Sequence, residues 1–201
     1  MIAVTFFDIL PESLELGTTT NTATRTIFTI VVISFLFYHF LERFFLTHHH
    51  HEEDGKNHKH LFGPIGAGSL IIHSFLDGAS ISIAYQANAA LGLLVALAVI
   101  THDFTDGINT VILMLKNKYP LRTARIFLIL DALAPLIGIL ITSLFTIPTR
   151  ALTIILPIFA GEFLYIAAAN VLPETHNHKP WKMALPMLLA VILIFTLTHF
   201  I

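Results

Sequence analysis

Long apolar runs are the feature of this 201-residue sequence that most restricts its fold. A helix that crosses a bilayer needs about 20 predominantly apolar residues. Six runs meet this requirement: Ile27–Leu46, Pro64–Gln86, Leu91–Leu115, Arg122–Phe145, Ala151–Leu172 and Met183–Ile201. Most connections between them are short, so consecutive helices should be antiparallel neighbours. The sequence therefore predicts an all-α, polytopic membrane helix bundle of six spans, taken as a single membrane domain over residues 1–201.

The composition excludes several other classes of protein. Only 12% of the residues are charged and the mean hydropathy is +0.78, whereas soluble domains are typically about 25% charged. The formal net charge of −2 gives no basis for binding nucleic acid. Because the chain has no Cys, it has neither a disulfide framework nor a thiolate metal site. Any metal chemistry must use His, Asp, Glu and neutral oxygen ligands.

The basic residues orient the predicted spans through the positive-inside rule. All of the 11 Lys and Arg residues except Arg25 and Arg150 fall on one side of the bundle. This asymmetry places the polar, His-rich segment 47–63 in the cytoplasm and the C-terminus outside. The expected location is the cell membrane, which for a prokaryotic source is the bacterial inner membrane.

Five carboxylates fall inside predicted spans, and no Lys or Arg lies deep in any span to neutralise them. These residues are Asp77, Asp103, Asp106, Asp131 and Glu162. Each would cost about 2.5–3.5 kcal/mol to insert at the centre of a bilayer. Protonation, a water-filled cavity or bound cations would offset this cost, and cations are favoured where His accompanies the acids. Glu162 has no such partner in the sequence pattern, and structural and proton-relay roles both stay open for it.

The second and third spans carry the same short motif. Residues 73–78 read His-Ser-Phe-Leu-Asp-Gly and residues 102–107 read His-Asp-Phe-Thr-Asp-Gly, both of the form H-x-F-x-D-G. Positions i and i+4 share a helix face, so each His stands over the Asp of its own motif. Two facing helices would then present two imidazoles and two carboxylates, from His73, Asp77, His102 and Asp106, to one ion.

The pattern leaves open whether one ion binds or two, and it offers ligands for a second ion beside the first. Ser74 and Asp103 follow the two histidines and are rotated from them by about 100° around each helix. Asp131 in the fourth span, four residues before the helix-kinking Pro135, is the best remaining acid for this second position. A hydrogen bond between helices is the open alternative to metal contact for Asp131. Imidazole and carboxylate ligands favour Zn²⁺, Fe²⁺, Mn²⁺, Co²⁺ or Cd²⁺ over Ca²⁺ and Mg²⁺, which prefer all-oxygen shells.

The paired motifs, preceded by a His-rich loop, resemble the ZIP (Zrt/Irt-like) family of divalent metal transporters, whose fourth and fifth helices carry related motifs. The segments 161–174 and 7–13 resemble the seventh helix of that family and the end of its second. The resemblance implies movement of Zn²⁺ and related ions into the cytoplasm by an elevator-like motion of the metal-bearing helices. It implies a first site of His73, Asp77, His102 and Asp106, and a second of Ser74, Asp77, Asp103, Asp106 and Asp131.

The chain departs from the family pattern at several places. Leu76 and Thr105 replace Pro, Ser74 replaces Asn, and Asp77 and Asp106 replace Glu. Residues 8–13 and 170–175 also resemble each other, which suits a transporter built from inverted repeats. Residues 1–26 are expected to form the end of a partial helix and an external loop. The natural coding region is expected to extend upstream by about 40 to 60 residues.

Two alternatives to transport stay open at this point. Paired His and Asp ligands would also serve an intramembrane metallohydrolase, and a transport-defective fragment would bind metal without moving it. Polar side chains leading away from the motifs favour a transport path, and hence a protein that is not an enzyme; they are Ser80, Ser82, Gln86, Asn88, Asn109 and Thr110. The expected partners are divalent metal ions and the lipid bilayer, with a homodimer as an open alternative for the assembly.

Overall fold

A computed structural model describes residues 1–47, 62–171 and 180–200, and all of its regular secondary structure is helical. Most of the predicted His-rich loop lies outside the described residues. Helix α1 runs through Ile2–Val4, a π-helical turn Thr5–Ile9, and Leu10–Thr20. The described helices that follow are α2 Thr24–Thr47, α3 Phe62–Ala87, α4 Ala89–Lys116, α5 Leu121–Ser143, α6 Thr149–Ile166 with a π-helical turn Ala167–Val171, and α7 Pro180–Phe200.

Five of the described helices, α2 to α6, are long and apolar enough to cross a membrane. Helix α7 contributes a shorter apolar stretch, Leu185–Phe200. Large apolar side chains on these helices are exposed, among them Phe104 at 76% and Leu144 at 72%, as expected of faces that meet lipid. The prediction of an all-α, polytopic membrane protein is confirmed, and the six predicted spans correspond to α2 to α7.

Short connections follow from residues that end or begin helices. Asn88 alone separates α3 from α4, and its side-chain oxygen accepts a hydrogen bond from the Ala90 amide at 2.9 Å. Helices α5 and α6 each start directly after a proline, Pro120 and Pro148, whose φ of −66° and −67° fits a helix entry. Asn21 ends α1 with φ 56°, a left-handed conformation that Asn tolerates.

The described chain separates into two compact units, while the prediction of a single membrane domain stays a prediction. The first unit comprises Met1–His39, Ile83–Ala98 and Thr146–Ile201. In this unit α1 packs along α6. Helix α2 approaches α6 closely at Gly161, where an added Cβ would lie 2.7 Å from the Ser34 Cβ. The Ser34 hydroxyl also donates to the Ile158 carbonyl at 2.7 Å, so a small residue and an interhelical hydrogen bond fix this contact.

The weak sequence repeat has a structural counterpart in the first unit. The two π-helical turns occupy the same register of the repeat, since Thr5–Ile9 and Ala167–Val171 each immediately precede a Leu-Pro-Glu sequence. Proline has no amide hydrogen to donate into the preceding turn, which favours a local change of helical pitch. The repeat therefore includes a shared backbone irregularity as well as similar residues.

The second unit comprises Phe40–Ser82 and Val99–Phe145 and contains both H-x-F-x-D-G motifs. Here α3 and α5 approach backbone to backbone. A Cβ added at Gly78 would overlap the carbonyl oxygen of Pro135, and one added at Gly138 would lie 2.8 Å from the amide nitrogen of Ala79. Small residues permit such close approach between membrane helices. The contact brings Asp131, one turn before Pro135, beside the first motif.

Candidate metal centre

The two motif histidines converge on one carboxylate oxygen inside the second unit. His102 on α4 places its Nε2 2.7 Å from Oδ2 of Asp77 on α3. His73, one turn before Asp77 on the same helix, places its Nε2 3.2 Å from the same oxygen. The two imidazole centroids are 6.0 Å apart. The His73–Asp77 contact follows from the i, i+4 spacing, whereas the His102–Asp77 contact joins the two helices.

Two further carboxylates complete this cluster, which we call the His/Asp cluster: His73, Asp77, His102, Asp103 and Asp106. Oδ2 of Asp106 lies 4.0 Å from His73 Nε2, and Oδ1 of Asp103 lies 3.8 Å from His102 Nε2. Potential ligand atoms fall within 4.8 Å of one another in two triads that share His102. These triads are His73 with His102 and Asp106, and Asp77 with His102 and Asp103. Ions bound through imidazole and carboxylate at about 2.0–2.2 Å need ligand atoms brought together in this way.

Two carboxylate oxygens of the His/Asp cluster are buried without a hydrogen-bond donor among the described residues. The Asp77 side chain is 0% exposed, while the two imidazoles are 19% and 17% exposed. Within the described residues, Oδ1 of Asp77 and Oδ1 of Asp103 are buried and have no hydrogen-bond partner. An unpaired buried carboxylate oxygen is energetically unfavourable. A divalent cation would supply the missing partner, so the donor set fits the metal class that the sequence predicts.

Asp131 lies in a separate, adjacent group of polar side chains, which we call the hydroxyl–carboxylate group: Ser74, Thr110 and Asp131. The Ser74 hydroxyl donates to Asp131 Oδ1 at 2.8 Å, and the Thr110 hydroxyl donates to Asp131 Oδ2 at 3.2 Å. All three residues are buried, with Asp131 only 4% exposed. These two hydrogen bonds join α3, α4 and α5 at one carboxylate.

A cavity of about 560 Å³ in the second unit has both polar groups in its wall. Ser74 and Asp131 contribute from the hydroxyl–carboxylate group and Asp103 from the His/Asp cluster. Apolar residues of α4 and α5, such as Ile108 and Leu128, form most of the remaining wall. The space far exceeds the roughly 30 Å³ that one water occupies. It is therefore large enough to admit a cation beside these carboxylates.

All seven predicted site residues lie in the second unit, but they form two groups. Five make up the His/Asp cluster, and the other two, Ser74 and Asp131, pair with each other beside it. Their binding of metal stays a prediction. The sequence interpretation placed Thr110 on a transport path and missed its contact with Asp131. Its position four residues after Asp106, on the same helical face, was the available signal. Glu162 lies fully buried in α6 of the first unit.

Together, the fold and the His/Asp cluster define a multi-pass helical membrane protein with a candidate site for a transition-metal ion. The ZIP Zinc transporter family model matches residues 65–201, which is about two thirds of the chain. The chain therefore belongs to the ZIP zinc transporter family. The matched region contains both H-x-F-x-D-G motifs and helices α4 to α7.

Individual relatives are distant and considerably longer. The chain is 27% identical to zinc transporter zipt-7.2 of Caenorhabditis elegans over 126 residues, covering 60% of this chain and 27% of that protein. It is 32% identical to zinc transporter ZIP10 of Mus musculus over 104 residues, or 51% of this chain and 12% of that protein. It is 26% identical to zinc transporter ZIP4 of Rattus norvegicus over 117 residues, or 57% of this chain and 18% of that protein. The matches thus span about a quarter or less of these relatives. No solved structure matches the chain at a significant level.

Family membership decides between two of the functional classes that the sequence left open. The matching family is one of zinc transporters and not of enzymes. The intramembrane metallohydrolase alternative is therefore set aside, and the His/Asp cluster is treated below as an ion site.

Proposed function

We propose that the chain carries Zn²⁺ and related divalent transition-metal ions across a cell membrane into the cytoplasm. The observation that supports this most is the convergence of two imidazoles on Asp77, with buried carboxylate oxygens left unpaired, on helices long enough to span a bilayer. A bound cation would satisfy the carboxylate oxygens that lack a hydrogen-bond partner. The zinc transporter names of the matched relatives agree with Zn²⁺ as the main ion, with Fe²⁺, Mn²⁺, Co²⁺ and Cd²⁺ as competitors.

The ligands that we assign follow the two predicted sites. His73, Asp77, His102 and Asp106 would hold the first ion. Ser74, Asp77, Asp103, Asp106 and Asp131 would hold the second, with Asp77 and Asp106 shared. The short distances from Asp77 Oδ2 to both imidazoles support the first set. The shared cavity wall of Ser74, Asp103 and Asp131 supports the second.

Uptake of Zn²⁺ into proteoliposomes tests the proposal. Vesicles that contain the whole chain should accumulate Zn²⁺ faster than empty vesicles, and Cd²⁺, Co²⁺, Mn²⁺ and Fe²⁺ should each be tested as competitors. Ser69→Ala is a matched control on α3, because the Ser69 hydroxyl donates to the Gly66 carbonyl of its own helix at 2.7 Å. Zn²⁺ binding without uptake would support the alternative of a transport-defective chain. The mass of the purified protein in detergent would test the homodimer, which stays an open alternative for the assembly.

His73→Ala should weaken the first ion site while leaving the second largely intact. His73 contacts Asp77 and Asp106 but is absent from the hydroxyl–carboxylate group. Removing one imidazole ligand should lower Zn²⁺ affinity at the first site by more than about tenfold, since loss of even an outer-shell partner costs 10–100-fold. Calorimetric titration would show one weakened and one unchanged binding event. Equal weakening of both events would contradict the separate assignment of the two sites.

The proposed orientation can be tested with single cysteines, since the natural chain has none. Cysteine in place of Asn117, between α4 and α5, should react with an impermeant thiol reagent only from the cytoplasmic side. Cysteine in place of the exposed Thr149, at the start of α6, should react only from outside. Because α5 separates these two positions, labelling of both from the same face would contradict both the span assignment and the proposed direction.

A further inference from the structure

The Asp131 carboxylate is held by two hydroxyl groups from two other helices. Ser74 on α3 donates to Oδ1 at 2.8 Å and Thr110 on α4 donates to Oδ2 at 3.2 Å. Thr110 is 0% exposed and Ser74 is 2% exposed, so water does not compete freely for these contacts. Neither the sequence resemblance nor the family match assigns a role to Thr110.

This arrangement orients the carboxylate without using all of its acceptor capacity. An ionised carboxylate has about four lone-pair sites on its two oxygens. One hydroxyl donates to each oxygen, which fixes the plane of the group and leaves about one lone pair on each oxygen for a cation. The open lone pairs belong to a side chain in the wall of the 560 Å³ cavity, which Asp103 also lines. The two hydroxyls therefore orient the Asp131 carboxylate and still leave it able to bind a cation.

We propose that Thr110 is a positioning residue for the cation that binds at Asp131. Its hydroxyl holds Asp131 Oδ2 in the orientation needed for ion binding, while Ser74 holds the other oxygen. The inference rests on the proposed function, because it requires a cation at Asp131. Outer-shell donors that orient metal ligands typically change metal affinity by about 10–100-fold when they are removed. Loss of the Thr110 hydroxyl should lower Zn²⁺ affinity at Asp131 by this factor.

The test uses Zn²⁺ titration of the whole chain in detergent, with bound Zn²⁺ per chain counted by equilibrium dialysis. Asp131→Asn first identifies which component of Zn²⁺ binding depends on Asp131. Thr110→Val, which replaces the hydroxyl by a methyl group of similar size, should weaken that component by about 10–100-fold and leave the other unchanged. Thr110→Ser, which restores a hydroxyl, should bind within about threefold of the natural chain.

Two controls separate positioning from a general structural effect. Ser143→Ala on α5 removes an exposed hydroxyl that donates to the Leu140 carbonyl of its own helix at 2.8 Å, and it should leave Zn²⁺ binding unchanged. Thr110→Val should also have no further effect in the Asp131→Asn background, because residues that act through one contact are not additive.

The outcomes separate the inference from the proposed function. If the natural chain binds no Zn²⁺, the proposed function fails and the inference fails with it. The inference alone is overturned if Zn²⁺ binds but Asp131→Asn or Thr110→Val leaves its affinity unchanged. It is also overturned if Thr110→Ser fails to restore binding, or if Thr110→Val weakens binding equally in the Asp131→Asn background. Weakening by Thr110→Val, recovery by Thr110→Ser and non-additivity with Asp131→Asn would together support it.

Discussion

Replacing Asp77 with Ala should abolish Zn²⁺ binding at the first site, reducing affinity by more than about a hundredfold. Oδ2 of Asp77 lies 3.2 Å from one imidazole nitrogen and 2.7 Å from the other, and the side chain is fully buried. Without it, the two histidines lose the carboxylate that joins them, and the second proposed site loses a shared ligand. Calorimetric titration of the whole chain with Zn²⁺ would measure the loss.

Two further variants keep this test informative if Asp77→Ala folds poorly. Asp77→Asn retains the size of the side chain but removes its charge, and it should lose Zn²⁺ to a similar extent. Asp77→Glu restores the residue that related motifs of the family carry and should retain binding. Ser69→Ala on the same helix is the matched control. Full Zn²⁺ stoichiometry at natural affinity in Asp77→Asn would contradict a central role for Asp77.

Replacing Gly78 with Ala should destabilise the second unit. The new Cβ would overlap the Pro135 carbonyl oxygen, so α3 and α5 would have to separate. Overpacking of this kind typically costs about 1–3 kcal/mol. Asp77 immediately precedes Gly78, and Asp131 lies one turn before Pro135, so Zn²⁺ affinity should fall together with the melting temperature. Thermal unfolding in detergent, followed by circular dichroism, would measure the change.

The same helix offers a control for this substitution. Gly68 lies on α3, and within the part of the chain that the structure describes no atom beyond its chain neighbours and the backbone of its own helix lies within 4 Å of a Cβ added there. Gly68→Ala should therefore leave the melting temperature and Zn²⁺ affinity near those of the natural chain. Equal destabilisation by the two substitutions would show that helix flexibility, and not the contact with Pro135, explains the effect of Gly78→Ala.

The span pattern of the fold could be predicted from the sequence because it depends on local hydropathy and on residues that end helices. The predicted run Leu91–Leu115 corresponds to α4, Ala89–Lys116, and the predicted run Arg122–Phe145 corresponds to α5, Leu121–Ser143. The approach of α3 to α5 was not predictable in this way. This approach depends on which faces of the two helices meet. Only when those faces are known does it become clear that Gly78 and Gly138 make room for the facing backbone.

In the candidate site, too, contacts within one helix were predictable and contacts between helices were less so. Helical periodicity placed His73 over Asp77, and the structure has them 3.2 Å apart. The shorter contact, between His102 and Asp77, depends on the rotation and height of two helices, which periodicity within one helix does not fix. The contact of Thr110 with Asp131 further requires the position of α5. The residue types and the pairing of the two motif helices were therefore predictable, whereas the individual contacts between helices were not.

X-ray absorption spectroscopy of the Zn²⁺-loaded chain tests the proposed metal centre most directly. Zn²⁺ in the His/Asp cluster should show only nitrogen and oxygen ligands, at about 2.0–2.2 Å, with the multiple scattering that imidazole produces. The imidazole signal should be halved in His73→Ala and absent when His102 is also replaced. Zn²⁺ bound without imidazole scattering, or with an imidazole signal that survives the double substitution, would contradict the assignment of the ion to this cluster.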